Sequence, residues 1–332
     1  MAKVGIVGRG WGTRVQVPAF REAGLDVVKV AGRSDWRDVI DSPDIDLVTI
    51  VMPPATHLQI ASAALEAGKH VVSEKPTAMN AGEAEELLAI ARRHPSQIAI
   101  IDHELRFLPA WIAARRRVGE IGTLRYAEVR YASPGRGDRN REWNWWSDVE
   151  QGGGIWGAVG SHFVDAFRYF GFEIAAAHAT FHTVIAERPY QGALREVTSD
   201  DTAAVHLRFR NGAVGMIALS AVAAGPDEPA MITLHGQSGA FRLTGEELLK
   251  AEPGKPFARI AGGEMQQRPG NSPGGAFGTG TLLLGLALKA ALDDGDRSAL
   301  AAAATFEDGL AQQRVLDAAR RSDASEGRWE RL

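Results

Sequence analysis

The chain begins Lys3-Val4-Gly5-Ile6-Val7 and runs directly into Gly8-Arg9-Gly10-Trp11-Gly12. No other stretch constrains the fold as strongly. A short apolar run of this kind suits a strand buried on both faces. The glycines that follow permit a sharp turn and let backbone approach a ligand closely. From Thr13 the pattern turns helical. Strand, glycine turn and helix start, in that order, make a cradle for a pyrophosphate, which would sit on the N–H groups of the helix N-terminus. Gly8, Arg9, Gly10, Trp11, Gly12 and Thr13 are therefore candidate dinucleotide contacts. The spacing is irregular, since the usual fingerprint places its third glycine at the position of Thr13.

The rest of the first third repeats the theme. Strand-like runs at 26–31, 46–52, 69–72 and 97–101 alternate with helix-like stretches such as 58–67 and 83–94. Apolar strands separated by helices predict a doubly wound parallel sheet of the Rossmann type over residues 1–121. After Gly122 the rhythm changes. Val205, Leu207 and Phe209 alternate with polar residues and lead to Asn211-Gly212, the pattern of a hairpin with a type I′ turn. Further strands are expected at 124–131, 178–186 and 231–235, and a closing amphipathic helix at 306–321. Residues 122–332 thus read as an α+β domain on an open, mostly antiparallel sheet. The exposed face of such a sheet predicts a homodimer or homotetramer.

Composition removes several classes of function. Lys plus Arg number 37 against 41 Asp plus Glu, a formal charge of -4, so neither nucleic acid nor an anionic membrane is an expected partner. No cysteine is present, which excludes disulfides, thiolate metal sites and cysteine nucleophiles. No His, Asp and Glu cluster has metal-ligand spacing, so no metal is expected. The start of the chain leaves no room for a signal peptide, and the apolar run around 282–288 is short for a membrane span; a cytoplasmic protein is the expectation.

Several further residues are placed by the rule that ligands lie at the carboxyl ends of parallel strands. The second strand ends in Gly32-Arg33-Ser34. Arg33 could pair with a 2′-phosphate, which favours NADP over NAD; as a solvated loop residue it would carry no such meaning. Glu74 and Lys75, with Pro76 behind them, follow the fourth strand, and His103 and Arg106 follow the last. The loop 134–146 carries Trp143, Trp145 and Trp146 with Arg139, Arg141 and Asn144. Its indoles suit stacking on a sugar ring, or equally anchoring of the loop.

Taken together, these features resemble the glucose–fructose oxidoreductase/inositol dehydrogenase/MocA-type family. The likeness runs over nearly the whole chain. It includes the glycine turn with Pro18-Ala19-Phe20, Met52-Pro53-Pro54 with His57, and Ala67-Gly68-Lys69-His70-Val71 leading to Glu74-Lys75-Pro76. Arg106-Phe107 with Pro109, Gly152-Gly153-Gly154, Gly160-Ser161-His162 with Asp165, and Thr305-Phe306-Glu307-Asp308-Gly309 complete it.

The resemblance implies a nicotinamide-dependent oxidoreductase acting on a sugar, polyol or related hydroxy or keto compound. Met52, Pro53 and His57 would border the dinucleotide. Lys75 would lie beside the nicotinamide, and His162 would act as acid/base on the reacting oxygen, a role that suits a pKa near neutrality. Asp165, one helical turn on, would orient His162 or pair locally. Two departures stand out. Polyol dehydrogenases of the family often carry an aspartate where this chain has Ala158, and the segment between Arg33 and Asp38 is shortened, which removes a wall of the adenosine pocket. Both favour the rival expectation, a dinucleotide-binding sensor or regulator without catalysis.

Overall fold

The computed structural model describes residues 1–262 and 275–332. The chain divides into two compact units, Met1–Ile112 with the described part of Glu264–Leu310, and Ala113–Gly263 with Ala311–Leu332. The expected division at 121/122 is corrected in both respects: the break falls earlier, and the first unit takes back a later piece of chain.

In the first unit β1 (Lys3–Val7), β2 (Asp26–Ala31), β3 (Leu47–Ile50), β4 (His70–Ser73) and β5 (Ala99–Ile101) form a parallel sheet in the order β5-β4-β3-β1-β2, with Ala304–Thr305 antiparallel on β5. Alternate side chains serve opposite faces. Val4 and Ile6 pack with Phe20, Leu284 and Leu288, whereas Val7 and Val71 pack with Ile60, Leu65 and Leu87. The helix Gly275–Asp293 explains the discontinuous unit. It is long and apolar enough, at a mean hydropathy of 1.4, to cross a membrane by length and composition. Here Leu284 and Leu288 are buried in the sheet's core instead. The shortened segment after β2 is a turn and the one-turn helix Arg37–Ile40. A β-carbon at Gly5 would lie 2.3 Å from Val39 Cγ1, so glycine in β1 lets that short helix sit directly on the sheet.

The second unit is built on a nine-stranded sheet. Its strands are β6 (Leu124–Ala132), β7 (Ile174–His182), β10 (Thr202–Phe209), β11 (Val214–Ser220), β12 (Met231–Gly236), β13 (Ala240–Thr244), β14 (Glu247–Ala251), β15 (Ala258–Gly262) and Glu330–Arg331. Only the β6–β11 pair is parallel among the described ladders of this sheet. A separate hairpin joins β8 (Glu187–Tyr190) to β9 (Ala193–Glu196). The expected β10–β11 hairpin is present, in the register Thr202↔Ser220. Its turn is not type I′. Gly212 has φ +87° but Asn211 does not enter positive φ, and Phe209 N–H donates to the Ala213 carbonyl at 2.9 Å. Such a loop, with a glycine in the left-handed position, suits a longer hairpin connection. On the inner face Val205, Leu207 and Phe209 are buried, Phe209 edge-on to Phe167 of the helix Ser161–Tyr169 at 5.2 Å. Ala204, His206 and Arg208 face outward and are exposed.

Candidate functional site

The glycine turn has the form a pyrophosphate cradle needs. Gly8 has φ +140°, and a β-carbon there would lie 2.1 Å from the Val51 carbonyl oxygen. Its N–H donates to Ala31 at 2.8 Å, so the turn passes tightly between the ends of β2 and β3. At Gly10 an added β-carbon meets no described atom within 4 Å, which leaves an open outer side for a ligand. At Gly12 it would come 2.8 Å from Ile6 Cγ2, the close packing of helix on strand that the fingerprint's third glycine provides. The irregular spacing has a structural counterpart. The first turn, Gly12–Gln16, is π-helical, with Val17 N–H donating to the Gly12 carbonyl, and this wider turn carries the glycine one residue early. Arg9 and Thr13 are exposed and Trp11 is half-buried.

Beyond β2 the turn is organised by a residue that sequence reasoning passed over. The Asp35 carboxylate accepts Gly32 N–H at 2.9 Å and the Arg9 guanidinium at 2.6 Å, and these contacts, Gly32 foremost, hold it below the usual carboxylate range. Arg33 and Ser34 are exposed beside it.

The ends of β4 and β5 bring together more charge than the motifs disclosed. Lys75 and Glu74 are half-buried after β4, and the Lys75–Pro76 peptide is cis. Asp102, His103 and Glu104 follow β5 and are 1–3% exposed. Asp102 N–H donates to the Ser73 carbonyl at 2.7 Å, locking the two strand ends side by side. The Asp102 carboxylate accepts Gln16 Nε2 at 2.8 Å, and Thr49 Oγ1 donates to Gln16 Oε1 at 2.9 Å. A buried chain of hydrogen bonds therefore links β3, the π-turn and the end of β5. Burial, followed by the nearby Glu74 charge, pushes the Asp102 carboxyl up to about 8. Glu104 is driven well above the usual range by burial and then by Asp102; Glu74 is raised by burial against the opposing effect of Lys75. Position just past a strand end was the signal that could have found Asp102 and Glu104; nothing in the pattern pointed to Gln16.

Two expected contacts in this unit have other duties. His57 is fully buried, with Nδ1 3.0 Å from the Pro76 carbonyl and Nε2 2.8 Å from that of Met52, and burial lowers its pKa. It ties the Met52-Pro53 loop to the Lys75-Pro76 loop, so it positions the site instead of lining it. Arg106 is 4% exposed and reaches the Asp308 carboxylate at 3.3 Å and the Ala303 carbonyl at 3.4 Å. It secures the returning chain.

In the second unit the glycine run serves close packing. A β-carbon at Gly153 would lie 2.2 Å from the Trp146 carbonyl oxygen, and one at Gly154 would lie 2.3 Å from Asp200 Oδ1. Asp200 in turn accepts Trp156 N–H at 2.7 Å, at the start of a second π-helical turn, Trp156–Gly160. His162 follows in the first turn of Ser161–Tyr169, 2% exposed, with Asp165 buried one turn on; Gln312 Nε2 donates to the Ser161 carbonyl at 2.7 Å. Ala158 lies within the π-turn, 4% exposed. Of the two roles open to Trp143, the structure shows anchoring. Its indole N–H donates to the Glu196 carbonyl at 2.9 Å, Arg195 covers its ring at 3.5 Å and Tyr190 abuts it edge-on. Trp145 and Trp146 are half-buried and tilted against each other at 6.1 Å. Among the described residues no group of His, Asp and Glu is arranged to hold a metal.

Comparison with known proteins agrees with this geometry. Residues 26–101 match the family model described as oxidoreductase family, NAD-binding Rossmann fold, and residues 111–242 match the GFO/IDH/MocA C-terminal domain. An uncharacterized oxidoreductase of Synechocystis is 31% identical over 269 residues, covering 74% of this chain and 72% of that protein. The chain belongs to the Gfo/Idh/MocA oxidoreductase family. A second relative, levoglucosan dehydrogenase of Pseudarthrobacter phenanthrenivorans, is 33% identical over 225 residues, 63% of this chain and 57% of its own length. The solved structure of levoglucosan dehydrogenase in complex with NADH matches with a TM-score of 0.86 at 25% identity, over 100% of this chain and 99% of the other. An inositol dehydrogenase homolog from Azotobacter vinelandii shares the fold at a TM-score of 0.78, 21% identity and 97% of its own chain, with all of this chain covered. As a Gfo/Idh/MocA protein, the chain is an NAD-binding oxidoreductase, and its first unit is the dinucleotide-binding Rossmann fold.

Proposed function

We propose that this protein is a dehydrogenase or reductase that moves hydride between a nicotinamide dinucleotide and a carbon bearing a hydroxyl or carbonyl in a sugar or polyol. The observation that carries the reading is the glycine turn: closed by Val51 at Gly8, open at Gly10 and packed on Ile6 at Gly12. The dinucleotide supplies the hydride acceptor or donor. His162 exchanges the proton of the reacting oxygen, and Lys75 steadies that oxygen and the developing charge on it. The sugar assignment draws on structural neighbours solved with levoglucosan and with L-sorbose.

For the 2′-position of the adenosine ribose we infer NAD in preference to NADP. Arg33 taken alone favoured a 2′-phosphate, but Asp35 places a carboxylate in the same turn and already engages Arg9. NADH and NADPH affinities of wild type and Asp35→Asn test this point; a wild-type preference for NADPH overturns it.

The overall test is a panel of sugars, polyols and ketoses with NAD and NADP, followed by nicotinamide absorbance. Turnover that falls about 10²–10⁴-fold in Lys75→Ala and in His162→Ala supports the assignment. The rival reading, dinucleotide binding without catalysis, is favoured by the apolar Ala158. Tight binding with no turnover on any substrate would establish it. We further infer a homo-oligomer formed through the outward face of β10 and its neighbours; a monomer by light scattering overturns that.

A further inference from the structure

Among the described residues, Lys75 is the cationic side chain that acts on all three carboxyl groups Glu74, Asp102 and Glu104, and all four occupy the carboxyl ends of β4 and β5. With every group ionised, this cluster, whose Asp102 and Glu104 are buried, would hold two more negative than positive charges. Buried charge of that kind is avoided by keeping protons. The hydrogen bonds agree. Asp102 Oδ2 is satisfied by Gln16, but Asp102 Oδ1 and Glu104 Oε2 are buried with no partner among the described residues. Among the described residues, the neighbouring elements also carry two cations with partners of their own: Arg106 pairs with Asp308 at 3.3 Å, and the exposed Arg14 donates to the Gly10 carbonyl at 3.4 Å. β3 contributes neutral Thr49 and the π-turn neutral Gln16. The segment after β5 adds His103, and buried His57 feels the charge of Lys75. The helix Gly275–Asp293 presents Gly280 to Glu104, and its first eleven residues, Gly-Ala-Phe-Gly-Thr-Gly-Thr-Leu-Leu-Leu-Gly, contain nothing titratable.

The cluster is also joined to the dinucleotide turn, because Gln16 belongs to the same π-turn that begins at Gly12. Oxidised nicotinamide carries a ring charge of plus one that the reduced ring lacks. On the reading that this unit binds a dinucleotide, we propose that Glu74, Asp102 and Glu104 are a proton-loaded counter-charge for the nicotinamide. Binding of NAD⁺ would then expel a proton from one carboxyl to solvent, leaving a carboxylate whose charge balances that of the ring. Binding of NADH expels none. The pocket thereby ties discrimination between the two redox states to pH.

The experiment measures dissociation constants of NAD⁺, NADH and ADP-ribose for the whole protein at pH 7 and pH 9, by calorimetry in two buffers of different ionisation heat. One carboxyl that titrates near 8 when free, and well below 7 beside the cation, makes NAD⁺ bind about tenfold more tightly at pH 9 than at pH 7. The same linkage gives release of most of one proton at pH 7. NADH and ADP-ribose are expected to show neither effect. Asp102→Asn should abolish the pH dependence of NAD⁺ binding, and Glu104→Gln should diminish it. Equal pH dependence for NAD⁺ and NADH in wild type overturns the proposal without reference to any variant, as does proton release that persists in a folded Asp102→Asn protein. Failure of all three ligands to bind would overturn the dinucleotide reading itself, and the proposal with it.

Discussion

Asp102→Asn should make the protein more stable at alkaline pH and abolish part of its pH dependence. The carboxyl is 1% exposed and is raised from 3.8 to about 8, first by burial and then by Glu74. Below pH 3.8 the group is protonated in both folded and unfolded chains and contributes nothing to the slope. Between these values the folded chain holds a proton that the unfolded chain has lost, so stability falls as pH rises. Above 8 the penalty is complete. At about 1.4 kcal/mol per tenfold change in proton affinity, it amounts to about 6 kcal/mol, a large share of the 5–15 kcal/mol typical of a folded protein. Asparagine has the same shape, keeps an oxygen to accept from Gln16 and carries no charge. Denaturant titrations followed by circular dichroism at pH 5, 7 and 9 should show the wild type losing stability steadily while the variant loses much less, with the variant ahead by several kcal/mol at pH 9. Parallel curves for the two proteins would refute the assignment of a raised, buried carboxyl to this position.

The glycines of the turn should separate cleanly. Gly8→Ala meets the Val51 carbonyl at 2.1 Å in a positive-φ conformation and should cost about 3 kcal/mol or more. Gly10→Ala meets nothing and should melt like wild type, yet weaken NADH binding at least about tenfold, about 1.4 kcal/mol, as read by fluorescence titration. Gly154→Ala drives a methyl group against the Asp200 carboxylate, so turnover should fall while NADH affinity, a property of the first unit, stays unchanged. Trp143→Phe removes the indole donor from the Glu196 carbonyl and should cost about 1–2 kcal/mol in denaturant unfolding.

What the sequence disclosed follows the range of the forces involved. β1, β2 and the helices around 58–67 and 83–94 are written locally, in runs of apolar residues whose period is fixed by backbone geometry, and they stand within a residue or two of where pattern reading puts them. The strands β13, β14 and β15 escaped notice because Ala240–Thr244, Glu247–Ala251 and Ala258–Gly262 lack a clean alternation; their pairing comes from neighbours in the sheet. The same distinction runs through the candidate site. Gly8, Gly10 and Gly12 announce themselves because backbone conformation depends on the residue itself. His57 and Arg106 carry a motif but face carbonyls and a carboxylate that only the folded chain brings near. Gln16 is unreadable in sequence, since its meaning lies in Asp102, 86 residues away. Asp35 is unreadable for the same reason, since its carboxylate takes its meaning from Gly32 and from Arg9, 26 residues away.

The division at 121 that the sequence invited can be tested against the discontinuous unit the structure shows. A fragment of residues 1–121 contains all five parallel strands and the whole glycine turn, and by motif alone it is a complete Rossmann domain. It lacks the helix Gly275–Asp293, which gives Leu284, Ala287, Leu288 and Ala291 to one face of the sheet. Leu284 and Leu288 are 1% and 0% exposed, and burying each is worth about 1.5–3 kcal/mol. Phe20, which packs near Gly285 of that helix, would lose part of its cover as well. The summed loss, about 3–6 kcal/mol from the two leucines alone, approaches the whole stability of a small domain. The fragment should therefore lack a cooperative thermal transition, bind an apolar dye and fail to bind NADH. Joining 1–112 by a flexible linker to 275–310 should restore both melting and NADH binding. A cooperative transition and wild-type NADH affinity in 1–121 would mean that the sheet face covered by Leu284 and Leu288 does not need them.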